Sequence, residues 1–160
     1  LFTAIPDAKA LDTFAGIVFA GACIAPMRTR TTMRIFNEFT FEAAHHLPHI
    51  FPDGHINTRL HGHSFRVRVT LEGKPDSQTG LISDLGSVKS AFDSAQEKLD
   101  HRYLNEIEGL ETPTLENIAM WLWRHFASSL PGLAEVGVYR DTCGEGCEYR
   151  GEFEMERKAA

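Results

Sequence analysis

Apolar and polar residues alternate most cleanly between His63 and Glu72. Phe65, Val67, Val69 and Leu71 fall on one face, and Ser64, Arg66, Arg68, Thr70 and Glu72 on the other. That period of two predicts a half-buried antiparallel strand. A looser alternation over Met33–His45, with Ile35, Phe39, Phe41, Ala43 and His45 on one parity and Asn37 breaking it, predicts a strand before it. Between them, His46–Leu60 carries Pro48, Pro52 and Asp53-Gly54 and reads as a loop. Its 15 residues are many for a plain connection, which favours a functional role. Gly73–Gly80 (GKPDSQTG) is a turn, and Ser83 or Asp84 is placed to cap a helix bearing Leu85, Val88, Phe92, Ala95 and Leu99 at spacings of three and four. After an irregular connection over Asp100–Pro113, Thr114 caps a second helix from Leu115 to about Leu130, with Leu115, Ile118, Leu122 and Phe126 along one stripe. Strands over Glu135–Thr142 and Glu148–Met155 follow, joined by Cys143–Gly146. The order β-β-α-α-β-β predicts an α+β domain: one four-stranded antiparallel sheet with two helices on one face.

The first 32 residues stand apart. Phe14–Pro26 is an apolar run of 13, too short to span a membrane as a helix, and it is preceded by Asp7 and Asp12 against a lone Lys9, the wrong charge for a secretory signal. Two readings stay open for residues 1–32: an over-extended start, or an extension whose apolar run packs on the body or on a partner. Residues 33–160 are expected to form one domain. A net charge of −6 without any block of Lys or Arg argues against nucleic acid as a partner. Three cysteines, an odd number, argue against a disulfide scaffold and favour a reducing cytoplasm.

The chemistry concentrates in Phe41–Phe65, which holds six of the eight histidines. His61 and His63 are separated by one glycine, so a strand aims both imidazoles to the same side, the apolar one. His45 joins them if the two strands pair. Burying unpartnered imidazoles on an apolar face is costly. Three neutral imidazoles with one open position form the ligand set of a catalytic zinc site. The simpler explanation, two strand histidines with a chance neighbour, is the weaker. Asp100-His101 offers a carboxylate-oriented imidazole for acid–base work, although a solvated pair at a helix end explains the dipeptide slightly better from these residues alone. Cys143 and Cys147 supply too few ligands for a metal site. Glu116 fits a helix's first turn, Trp121 and Trp123 fit packing, and His125 is assigned nothing.

Taken together, FEAAHHLPH, RLHGHSF, LDHRYLN, PTLEN and TCGEGCEYRGE, in this order, resemble the 6-pyruvoyltetrahydropterin synthase family, and within it the bacterial 6-carboxytetrahydropterin synthases of queuosine precursor biosynthesis. The resemblance covers Met33 to about Glu152. It implies the tunnelling fold (T-fold) and a homo-oligomer, trimers stacked into a hexamer, with sites at subunit interfaces. It implies Zn2+ on His45, His61 and His63, Asp100 and His101 as the acid–base pair, Thr114 and Glu116 beside a pterin, and Asp141 as the pterin's anchor. The implied reaction converts 7,8-dihydroneopterin triphosphate with loss of triphosphate. Two positions depart from the family pattern. Asn57 stands where relatives carry a catalytic cysteine, and an amide cannot exchange a proton at neutral pH as a thiol can. Asp141 stands where they carry a glutamate, leaving the carboxylate one methylene shorter. His55, two residues before Asn57, is a candidate substitute base.

Overall fold

The computed structural model of the protein describes residues 32–151. The expected extension over residues 1–32 therefore lies, but for Thr32, outside the described residues, as does the last part of the strand expected to reach Met155. Strand β1 (Met33–His45) and strand β2 (His61–Gly73) pair antiparallel along their whole length, from Met33 opposite Gly73 to His45 opposite His61. Helix α1 (Leu85–Leu99) begins at Asp84, whose carboxylate accepts the Gly86 N–H at 3.0 Å. Strand β3 (Arg102–Tyr103) follows it. Helix α2 (Leu115–Ala127) begins at Thr114, whose hydroxyl accepts the Asn117 N–H at 3.2 Å. Strands β4 (Leu133–Arg140) and β5 (Glu145–Tyr149) close the described chain.

The sheet order is β3-β1-β2-β4-β5. It corrects the expected four-stranded antiparallel sheet by one strand: the sheet has five, and β3 runs parallel to β1 beside Ala43 and Ala44. The cause is local. His101 sits in the left-handed region at φ 56°, turning the chain out of α1 so that its N–H donates to Glu42 O at 2.6 Å. Two residues are too few to show any alternation. The last hairpin is also displaced from its expected place. Its turn is Asp141–Cys143 closed by Gly144 at φ 69°, and Gly146 belongs to β5. Gly146 and Gly137 are glycine because the Tyr139 ring lies across them, where a Cβ would collide with it.

One parity of the strands supplies the core. Phe41, Phe65, Val67, Val69, Leu71, Val136 and Val138 are buried against Val88, Phe92, Ala95 and Leu99 of α1 and Ile118, Ala119, Leu122 and Phe126 of α2. Phe41 and Phe65 stack at 4.8 Å between centroids. Each such side chain contributes about 1.5–3 kcal/mol on burial. The helix-free face is polar: Glu38 accepts from Arg66 at 2.7 Å and from Arg68 at 2.8 Å, and Arg66 lies 4.4 Å over the Tyr139 ring. Among the described residues no helix is long and apolar enough to cross a membrane.

Candidate metal centre and its cavity

The register that pairs β1 with β2 sets His45 opposite His61 and Ala43 opposite His63. All three histidines share the parity of Phe41 and Phe65, so they continue the core face to its end. Ring centroids are 4.5 Å (His45–His61), 5.2 Å (His45–His63) and 5.0 Å (His61–His63) apart. One ring nitrogen from each lies within 4.8 Å of the others. His45 Nδ1 is 2.9 Å from Pro113 O, and His61 Nδ1 is 2.8 Å from Arg59 O. A carbonyl only accepts, so each Nδ1 carries a proton, and in the neutral ring Nε2 then keeps its lone pair. His45 Nε2 is buried and makes no hydrogen bond. Burial pushes the His45 pKa down to about 4, so the ring is neutral at neutral pH. Burial, then the charge of Arg140, lowers that of His63. A buried lone pair without a donor, inside a set of convergent imidazoles, fits a divalent transition cation.

Beside His45 opens a cavity of about 300 Å³. Asn57, Thr114 and Glu116 line it together, so three of the residues singled out from sequence meet at one of the three clustered histidines. The loop bearing Asn57 is tied back by Leu47, whose N–H donates to Asn57 O at 2.8 Å. Phe51 lines the cavity, but His55 stacks on the ring of Phe51 at 4.3 Å and does not line it. His55 Nδ1 instead accepts the Asn57 N–H at 3.2 Å. Neither cysteine of the last hairpin reaches this cavity. Cys143 is exposed in the turn, and burial raises the pKa of the Cys147 thiol, the opposite of activation. Arg140 and Glu145 also line it, and sequence reasoning missed both. One signal was available for Arg140: it shares parity with Val136 and Val138, so it is a charge on the core side of its strand.

The other two groups lie elsewhere in the chain. Asp100 accepts the Glu42 N–H at 2.9 Å, and its second oxygen is 3.0 Å from His101 Nδ1. The Glu42 hydrogen bond foremost, then His101, holds the Asp100 carboxyl below the usual aspartate range. The His101 side chain is 78% exposed. It faces an open groove with Glu42, His63, Ser64 and Thr142, not the cavity holding Asn57. This is an oriented imidazole presented outward. Asp141 is held by a fork from Arg66, with Nε at 2.7 Å and Nη2 at 2.8 Å from its two oxygens. It is 60% exposed and shares a surface with Tyr139 and Glu148.

Residues 34–152 match the family model of 6-pyruvoyl tetrahydropterin synthase. The chain belongs to this family. It is an enzyme of the lyase class, and its mixed sheet with two helices is the family's T-fold. Of the 6-pyruvoyl tetrahydropterin synthase family, a 6-carboxy-5,6,7,8-tetrahydropterin synthase from Synechocystis is 42% identical over 121 residues, 72% of this chain and 91% of that protein. A dihydroneopterin monophosphate aldolase from Pyrococcus furiosus is 38% identical over 95 residues, 59% of this chain and 78% of that protein. The 6-pyruvoyl tetrahydropterin synthase structure of Caenorhabditis elegans superposes with a TM-score of 0.69 at 25% identity, covering 76% of this chain and 96% of that one.

Proposed function

We propose that this protein is a zinc-dependent pterin lyase that converts 7,8-dihydroneopterin triphosphate and one water to 6-carboxy-5,6,7,8-tetrahydropterin, triphosphate and acetaldehyde, as a step toward the queuosine precursor. The observation that carries the reading is the shared cavity: Asn57, Thr114 and Glu116 line the same space as His45 of a three-imidazole cluster. His45, His61 and His63 hold the Zn2+, which when bound supplies a Lewis acid for hydroxyl or carbonyl oxygens of the substrate side chain. Glu116 accepts hydrogen bonds from the pterin's amine edge, and the turn at Thr114 shapes the pocket floor. Asp141 offers a carboxylate to a pterin as well, through lone pairs left by the Arg66 fork. His101, oriented by Asp100, takes and returns the proton.

Although His63 shares its groove, His101 does not line the cavity that holds His45 and Asn57 in its own chain, and neither does Asp141. We therefore place the working site between copies of the chain in a homo-oligomer, a trimer or a dimer of trimers. The outer edge of β1 before Ala43 and the outer edge of β5 have no strand partner among the described residues, and pairing them between copies removes both edges. The cytoplasm is the compartment that goes with this reading.

A second reading has its own support: cleavage of the pterin side chain in the aldolase manner. Asn57 supplies no thiol, and a relative is named a dihydroneopterin monophosphate aldolase. A third, a weak zinc and pterin binder, follows if nothing replaces the missing base. Mass spectrometry of products from 7,8-dihydroneopterin triphosphate and the zinc-loaded protein separates them. The 6-carboxy product supports the first, 6-hydroxymethyl-7,8-dihydropterin the second, and bound but unchanged substrate the third.

A further inference from the structure

We infer that Arg140 competes with the metal ion for His63 Nε2 and so sets how tightly the three histidines hold a cation. This rests on the metal reading above and concerns residues that it does not use. Arg140 ends β4 on the parity of Val136 and Val138, so its side chain leaves the strand toward the helix-covered side. Arg140 Nη1 lies 3.1 Å from His63 Nε2. A guanidinium has donors only and stays charged, so this contact uses the imidazole's lone pair. The same pair would bind a metal through that nitrogen. One lone pair cannot serve both, and the two cations repel across a partly buried space.

The guanidinium is not free to leave. Its Nη2 is paired with Glu145, which stands opposite Arg140 in the β4–β5 register. Its Nε is buried without a partner, and the side chain is only 20% exposed. Metal uptake therefore turns Nη1 away from His63 while Nη2 stays on Glu145. The lost contact is a charge-assisted hydrogen bond, so its removal by mutation tightens zinc binding by roughly tenfold or more. The ligand is a divalent transition cation, and Arg140 acts on it only through His63 and through its own charge.

The test uses zinc alone, by competition with a fluorescent chelator, on the full chain and on Arg140→Met, which keeps the stem and removes the charge. Tighter binding by R140M, on the order of tenfold, is the expected result. Equal or weaker binding overturns the inference. Wild-type protein gives an independent reading that needs no variant: the Arg140 side-chain NH signals shift on addition of one equivalent of zinc, and unchanged signals at saturation overturn the inference. The metal reading fails separately, and takes this one with it, if zinc uptake by the wild type is absent or is unaltered by His45→Ala.

Discussion

Under the proposed reaction, position 57 is where the rate is set. Asn57 lines the cavity but has no proton to exchange near neutral pH. In Asn57→Cys, turnover of 7,8-dihydroneopterin triphosphate is expected to rise by ~10²–10⁴-fold, measured as triphosphate release at fixed zinc. No change assigns proton transfer to another group. His55 is the poorer substitute, since its ring is held on Phe51 and away from the cavity lining. Asp141 gives the pH test. Arg66 holds its carboxyl below the ordinary aspartate value of 3.8. A depressed folded value means that the ion pair contributes stability above the unfolded aspartate's pKa, and loses it as pH falls through the lower folded one. Carboxyl NMR is expected to show Asp141 titrating below 3.8 in the wild type and moving up in Arg66→Met. An unmoved midpoint contradicts the fork.

At the scale of elements, helix α2 both covers the core and begins at the cavity, because its cap Thr114 lines it. Thr114→Ala is expected to cost about 1 kcal/mol in urea unfolding and also to weaken pterin binding. Asp84→Ala, which removes the cap of α1 far along the chain from the site residues, is expected to cost a similar amount and leave pterin binding unchanged. Equal effects on binding would mean that Thr114 acts only through the helix. The paired strands were legible from alternation, and β1 begins and ends where that pattern does, Met33–His45. The histidine cluster was legible for the same reason, since i and i+2 positions share a face whatever the rest of the fold does. Strand β3 was not, because two residues carry no period and its pairing depends on the left-handed turn at His101. The last hairpin shifted because Gly144 and Gly146 look alike in sequence, and only the left-handed backbone of the first and the Tyr139 ring over the second tell them apart. Arg140 and Glu145 meet across the resulting register, so their pairing depended on knowing it.

Across the described residues, one chain carries the pieces of the proposed site without gathering them into one cavity. The histidines continue the core face of the sheet, His101 opens onto a groove that His63 also lines, apart from the cavity of His45 and Asn57, and Asp141 lies on the polar face with Arg66. Mixing His63→Ala subunits with His101→Ala subunits, each inactive alone, is expected to restore partial activity, because some interfaces then combine one intact half from each. No recovery after verified subunit exchange would place both halves within one chain. The cation itself is the centre of the account. X-ray diffraction on either side of the zinc absorption edge, from crystals grown with one equivalent of zinc, tests it most directly. The expected result is one anomalous peak about 2.0–2.1 Å from Nε2 of His45, His61 and His63; no peak among these three rings, with zinc bound elsewhere or not at all, would contradict it.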